Sequence, residues 1–304
     1  MARRLARPSG KSRRAPSKRL KRVTQDAQQY RPAGRLYNNQ RGGRGYHRRM
    51  SRVLPRPTRW SKKTDELVRY VAHGCRPALQ SELGHWLEDS SRFRTFVNAH
   101  QDKVRKKLST TNEESRLDIR AELLVAYSIL GDRRFELTFE AYGARQLGPD
   151  LTITYRANQR FNLEVTRLRA IADTDAGSAQ PGSSVARLAN VVAGKLRQLP
   201  GDVANALAIV TRGLAVDEET LVGATRLLKQ HNDRNDDAFF ARRGLKTARD
   251  FYAQYLRLGG VFVLDEATTP PGAIFSANRE ARHPLPREAV VALIACLTRE
   301  THDS

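Results

Sequence analysis

Apolar residues recur at helical spacing in some parts of this chain and form short β-type runs in others. In residues 113–131, Ile119, Leu123, Ala126 and Leu130 form one apolar stripe, which predicts a long helix. The predicted helices cover residues 64–73, 78–88, 92–108, 113–131, 184–199, 217–230, 245–257 and 286–300. The predicted strands, each bounded by turn-forming residues, cover 135–143, 150–156, 161–169, 205–213 and 260–266.

This order of elements predicts three segments. Residues 113–304 read as an α/β domain that begins with a helix, three antiparallel-type strands, a helix and a strand. Residues 61–112 read as a helical extension, either a small subdomain or helices packed on the α/β domain. Residues 1–60 lack any sustained helical or strand period and are rich in Arg, Gly, Pro and Ser. Such a segment buries too little apolar surface to offset its ordering entropy, so we predict a disordered basic arm.

Charge is concentrated in this arm. It holds 19 Lys and Arg against one acidic residue, Asp26, whereas the rest of the chain holds 35 basic and 31 acidic residues. Tyr30, Tyr37 and Tyr46 lie among its Arg and Gly residues, which suits stacking on bases beside phosphate contacts. We expect nucleic-acid binding, with a targeting segment or a solubilising tail as alternatives. The candidate contacts are Arg13, Arg14, Lys18, Arg19, Lys21, Arg22, Arg41, Arg44, Arg48 and Arg49.

Several classes of protein are disfavoured. No apolar run approaches the roughly 20 residues that span a bilayer, so we expect no membrane partner. Cys75 and Cys296 lack metal-ligand or redox spacing, and the seven histidines show no paired metal spacing. GxSxG and Walker-type motifs are missing, which argues against a serine hydrolase and an ATPase. An intracellular protein is expected, cytoplasmic or nucleoid-associated, with organelle targeting by the arm left open.

Residues placed on the elements from 113 to 213 make this region similar to the PD-(D/E)xK, or restriction-endonuclease-like, nuclease superfamily. Gly148-Pro149-Asp150 opens the second strand, where the family has Pro-Asp, and Asn162-Leu163-Glu164-Val165-Thr166 forms the third, where it has Glu-x-Lys. Glu122 lies in the first helix. Lys195 and Gln198 lie in the helix after the third strand, a region where some members carry a displaced Lys or a Gln. The resemblance covers about a third of the chain.

The resemblance implies a Mg²⁺- or Mn²⁺-dependent nuclease, acting on DNA rather than RNA. Asp150, Glu164 and the carbonyl of Val165 would bind the metal, because Mg²⁺ prefers oxygen ligands and keeps several waters. Glu122 would support the site. Lys195 would orient the attacking water and offset phosphate charge. The sequence leaves open endonuclease or exonuclease action and the oligomeric state.

The sequence departs from the family pattern at two points. Thr166 stands at the family's Lys position, so a catalytically silent nucleic-acid-binding protein is the second hypothesis; Thr166 and Gln198 are kept as possible site neighbours. A simple hairpin turning at 158–159 would also place Glu164 opposite Ile153, so a bulge or bend near Pro149 would be needed to bring Asp150 and Glu164 together.

Each candidate also has a structural interpretation. Asp150 could end a turn, and Glu164 could lie on an exposed strand face or pair with Arg167 or Arg169. Glu122 could be a solvated helix residue, and Lys195 could merely flank an apolar helix face.

Overall fold

A computed structural model of the protein describes residues 60–142, 148–169, 182–214, 216–268 and 271–299. Within these ranges the helices are α1 (Lys62–Val71), α2 (Pro77–Asp89), α3 (Ser91–Ala99), α4 (Gln101–Leu108), α5 (Glu113–Leu130), α6 (Gly182–Lys195), α7 (Glu218–Asp233), α8 (Asp237–Ala241), α9 (Ala248–Tyr255) and α10 (Arg287–Leu297). The strands are β1 (Phe135–Phe139), β2 (Leu151–Tyr155), β3 (Gln159–Arg167), β4 (Ala204–Thr211), β5 (Leu258–Asp265) and β6 (Gly272–Ala277).

The six strands form one mixed sheet in the order β1-β2-β3-β4-β5-β6. β1, β2 and β3 are antiparallel neighbours, β3, β4 and β5 are parallel, and β6 is antiparallel to β5. The protein is therefore α/β, and the predicted order of helix, three strands, helix and strand is confirmed.

Helices cover both faces of the sheet. α6 lies in the connection from β3 to β4, and α7, α8 and α9 lie in the connection from β4 to β5. Both connections are crossovers of the same hand that step across the sheet in the same direction, so their helices lie on the same face of the sheet. These helices pack on that face in one apolar cluster with Leu207, Ile209 and Val263. Side chains alternate along a strand, and the opposite face of the same strands meets α1–α5 and α10.

The helices of the predicted extension are part of the main core. Leu83, Phe93, Val97 and Val104 of α2–α4 are fully buried in the cluster that contains α5 and the sheet. Of the two arrangements predicted for residues 61–112, the structure has the packed one. Trp60, the last residue of the predicted arm, also packs here: a Cβ added at Gly84 would clash with its ring.

Several boundaries differ from the predictions for local reasons. α1 begins at Lys62, two residues before the predicted start at Thr64, because Ser61 is its N-cap. The Ser61 hydroxyl accepts a hydrogen bond from the Thr64 N–H. The predicted helix 92–108 is broken at His100 into α3 and α4. β6 and α8 were not predicted: β6 is half-exposed and weakly patterned, and α8 has only five residues.

The register between β2 and β3 corrects the predicted hairpin. Arg156 and Ala157, with φ of 49° and 63°, adopt the left-handed conformation that a tight hairpin turn requires. Tyr155 therefore pairs with Gln159, and Leu151 pairs with Leu163. The predicted turn at 158–159 was wrong, and the continuous register makes a bulge near Pro149 unnecessary.

Candidate functional site

Asp150 and Glu164 lie beside each other where β2 and β3 stop pairing. Pairing between β2 and β3 ends at Leu151 and Leu163, so Asp150 and Glu164 are the next residues on their two segments. Because Leu163 belongs to the core on the α5 face, alternation along β3 turns Glu164 toward α6. The Val165 N–H donates a 2.9 Å hydrogen bond to Asp150 Oδ2. This bond gives the Val165 N–H a partner at a position where β2 no longer pairs with β3.

Glu122 reaches this position from α5 and is joined to it by Lys107 of α4. The Lys107 Nζ donates to Glu122 Oε2 at 2.7 Å and lies 3.8 Å from Asp150 Oδ1. Glu122 is thus a buried residue of the cluster and not a solvated helix residue. Glu122 and Asp150 both lie close to the Lys107 ammonium, and Asp150 lies beside Glu164.

A fourth carboxylate belongs to Glu140, directly after β1. Its φ of 46° is left-handed, an uncommon conformation for a residue with a side chain. The Glu140 N–H donates to the Asp150 carbonyl at 2.8 Å, and Glu140 Oε1 lies 2.9 Å from Lys107 Nζ. The sharp turn after β1 therefore places the Glu140 carboxylate beside those of Glu122 and Asp150, and such strained backbone is found preferentially at functional sites.

Lys195, the last residue of α6, contacts the cluster from the other helical layer. Its Nζ donates to Glu164 Oε1 at 2.8 Å. The predicted proximity is confirmed, and the contact is direct where a bridging water was allowed. The Gln198 amide also lies against Glu164, and with its nitrogen toward the carboxylate it donates to both oxygens, with 3.0 Å to Oε2. Thr166 is half-buried two residues beyond Glu164 on β3.

Arg167 and Arg169 do not pair with Glu164. Both guanidinium groups contact Glu114 and Asp118 of α5, with Arg167 Nη2 2.7 Å from Glu114 and Arg169 Nη2 2.7 Å from Asp118. This excludes the alternative in which an arginine of the same strand neutralises Glu164. Among the described residues, Lys195 is the cation in contact with Glu164.

Next to the carboxylates, on the same face, a chain of polar side chains crosses three strands. Asn162 Nδ2 donates to Asn205 Oδ1 at 3.0 Å and to the Tyr142 hydroxyl at 3.1 Å, while the Thr152 hydroxyl donates to Asn162 Oδ1. Asn205 Nδ2 in turn contacts the carbonyls of Pro200, Val203 and Arg257. The network fixes β2, β3 and β4 relative to each other, because buried polar groups are costly when unpaired.

The electrostatics of the cluster are determined by its burial. Burial raises the pKa of Glu164 to about 8, and the Asp150 charge adds to the rise. Burial also raises the pKa of Glu122 and of Asp150. For the Lys107 and Lys195 ammonium groups, burial acts to lower the pKa, but the carboxylate charges outweigh it and raise both values. Both lysines therefore carry full charge at neutral pH.

Four carboxylates thus face two ammonium groups, an excess of negative charge. A buried site with such an excess either holds protons or attracts a further cation. Within the described part of the chain, no group of three or more His, Cys, Asp or Glu side chains has an arrangement that would hold a metal ion. Lys107 lies among three of the carboxylates, so a metal ion would share their oxygens with its ammonium group.

Lys107 and Glu140 were missed by the sequence analysis. Lys107 belongs to a basic run, 105–107, that reads as a solvated helix end, and only the packing of α4 against α5 reveals its partner. Glu140 lies beyond β1 in a conformation that residue type does not predict. The Val165 N–H donates to Asp150, and metal binding by the Val165 carbonyl stays a prediction.

Other predictions concern residues away from the cluster. The ten basic residues assigned to nucleic-acid contact lie outside the described residues. Cys75 and Cys296 are buried free thiols. In the described ranges, helices long and apolar enough to cross a bilayer are not found. The chain matches no protein-family model, no curated protein and no solved structure.

Proposed function

We propose that this protein is a divalent-metal-dependent nuclease with a restriction-endonuclease-like core, and that it hydrolyses phosphodiester bonds of DNA rather than RNA. The observation that carries the proposal is the cluster itself. Asp150 and Glu164 stand side by side on two strands, Glu122 joins them from α5, and Lys195 contacts Glu164. Clustered oxygen ligands with a nearby cation are what metal-assisted phosphodiester hydrolysis needs.

The donor set fits Mg²⁺ or Mn²⁺ in kind. Every candidate ligand is an oxygen, which a hard cation prefers. Burial raises the pKa values of Glu122, Asp150 and Glu164, and a bound cation would stabilise their charged forms. Asp150 and Glu164 would hold the ion, with the Val165 carbonyl as a third ligand. When bound, the ion would lower the pKa of a water molecule and neutralise charge on the scissile phosphate.

The chain's own groups have separable roles in this proposal. Asp150 is oriented by the Val165 N–H, which donates to Oδ2, while Oδ1 lies 3.8 Å from Lys107 Nζ. Lys195 would position the attacking water and stabilise phosphate charge, in place of the lysine that Thr166 does not provide. Gln198 would hold the Glu164 carboxylate from its other side. Glu122 would act through Lys107, as a positioning residue.

The arm would supply affinity that does not depend on sequence. Basic residues that neutralise phosphates release condensed counterions, and this favours binding to any nucleic acid at low salt. The rest of the chain is close to neutral. In this division of labour the arm recruits the nucleic acid and the α/β domain cuts it.

One observation favours a second function, a catalytically silent nucleic-acid-binding protein. Lys107 already contacts three carboxylates of the cluster, and Thr166 provides no charge. A cluster held by its own lysines, with the excess negative charge removed by bound protons, would be a structural feature of a fold that binds nucleic acid through its arm.

Incubation of the purified full chain with supercoiled plasmid, single-stranded DNA and RNA, in Mg²⁺, Mn²⁺ or EDTA, tests the proposal. We expect DNA cleavage with either metal, none in EDTA, and none with Glu164→Gln. The Glu280→Gln variant is a matched control, because Glu280 pairs with Lys229 at a half-exposed surface position. Salt-dependent binding without cleavage under any metal would favour the silent binder.

A further inference from the structure

Lys107 is the most enclosed cation of the candidate site. Its ammonium lies 2.7 Å from Glu122, 2.9 Å from Glu140 and 3.8 Å from Asp150, and it also lies 4.7 Å from the centre of the Phe139 ring. Phe139 is fully buried in the core. The side chain therefore has a fixed position, determined by the core below it and the carboxylates around it.

The contacts resemble those of a bound cation. An ammonium group has three N–H donors and no acceptor, and here three carboxylates from three separate segments face it. None of them neighbours Lys107 in sequence: α5, the turn after β1 and the start of β2 each supply one. Removal of the charge would leave Glu122 buried without its partner, a costly state for a carboxylate.

The second ammonium group lies on a different carboxylate. Lys195 contacts Glu164 from α6, whereas Lys107 contacts Glu122, Glu140 and Asp150. Hydrolytic sites with two metal ions hold them about 3.5–4 Å apart. In this cluster the position bounded by Glu122, Glu140 and Asp150 is taken by the Lys107 ammonium group, while Lys195 contacts Glu164 on the neighbouring strand β3.

We propose that Lys107 is a built-in cation that occupies the position between Glu122, Glu140 and Asp150 and thereby limits the site to one divalent ion, held at Asp150 and Glu164. The inference rests on the metal binding in the proposed function. It predicts that replacement of Lys107 by an uncharged residue of similar length opens a second ion position without any new ligand.

Counting of bound Mn²⁺ on the full chain, by calorimetry and by electron paramagnetic resonance of free Mn²⁺, tests this. We expect one ion in the wild type and two in Lys107→Met. Lys107→Arg keeps the charge and should bind one. Lys103→Met is the matched control: it lies one turn earlier on α4, its ammonium contacts the Phe139 carbonyl, and it should bind one.

If metal-free Lys107→Met fails to fold, far-UV circular dichroism during Mn²⁺ titration replaces the count. Recovery of helical signal with two equivalents of Mn²⁺ is expected, and no recovery would overturn the proposal. One ion in a folded Lys107→Met protein, or two in the wild type, would also overturn it. Cleavage activity with one ion in both proteins would refute this inference alone. Failure of the wild type to bind Mn²⁺ would refute the metal-dependent function as well.

Discussion

The Lys195 ammonium donates a 2.8 Å hydrogen bond to the Glu164 carboxylate, from the last residue of α6 to the middle of β3. The crossover that connects β3 to β4 returns α6 across the face on which Glu164 lies, so the end of that helix passes over the strand. In this way the fold supplies from a helix the positive charge that Thr166, on the strand itself, does not carry.

Lys195→Ala should remove most cleavage while leaving DNA binding intact. Loss of one group that stabilises charge in the transition state typically costs about 3 kcal/mol of barrier, or roughly a hundredfold in rate. Single-turnover cleavage and filter binding on the same substrate measure the two effects. Lys229→Ala, which breaks a half-exposed Lys–Glu pair on α7, is the control. Unchanged cleavage in a folded Lys195→Ala protein would contradict the assigned role.

The stability of the metal-free protein, relative to Glu164→Gln, should fall as pH rises. Glu164 has a pKa of about 8 in the folded state against about 4.3 in an unfolded chain, so folding favours the protonated form. Its contribution is full below pH 4.3 and is lost as pH rises through about 8. Asp150 and Glu122 act in the same direction, whereas the raised pKa values of Lys107 and Lys195 act only at higher pH.

Urea unfolding of both proteins at pH 5, 6, 7 and 8, in EDTA, measures this difference. It should shrink by an amount on the order of a few kcal/mol across the range, since one pKa unit corresponds to about 1.4 kcal/mol. Saturating Mn²⁺ should reduce the dependence, because the ion binds the ionised carboxylates. A difference that is flat or that grows with pH would show that the ion pair with Lys195 outweighs burial.

The part of the fold that depends on local patterns was predictable, and the part that depends on backbone exceptions was not. The apolar stripe of α5 is long enough for its position to be read from the sequence. The β2–β3 register depends on left-handed φ values at Arg156 and Ala157, residue types that rarely adopt them. A change in the length of the turn shifts every residue pair between the two strands. The conformation of Arg156 and Ala157 therefore determines which residue of the other strand lies opposite Glu164.

The candidate site shows the same division. Asp150 and Glu164 were predicted from the resemblance of their motifs to those of a nuclease superfamily, and Lys195 from its position on the helix after the third strand. Lys107 and Glu140 were not, since their positions depend on how α4 packs against α5 and on the turn after β1. Long-range packing of charged side chains has no signature in a single sequence.

Asn205→Ala should destabilise the protein by about 3 kcal/mol. The Asn205 amide nitrogen contacts three backbone carbonyls, and its oxygen accepts from Asn162. Each buried polar group left without a partner costs about 1–3 kcal/mol. Asn190→Ala, at an exposed position on α6 where the side chain contacts Arg243, is the control and should change stability by less than about 0.5 kcal/mol. Equal urea midpoints for the two variants would show that the network contributes little.

Deletion of residues 1–56 should weaken nucleic-acid binding and flatten its salt dependence while the α/β domain stays folded. The deletion ends before Trp60, because the Trp60 ring packs against Gly84 and belongs to the core of the domain. Each phosphate neutralised by the arm contributes roughly 0.9 to the slope of log K against log salt for duplex DNA. Fluorescence anisotropy with duplexes of unrelated sequence, over a range of KCl concentrations, gives the slope for both proteins, and a thermal melt checks folding. A variant in which the arm's Lys and Arg residues are replaced by Gln separates charge from chain length and should behave like the deletion. A truncated protein with the full slope would place the main phosphate contacts on the α/β domain.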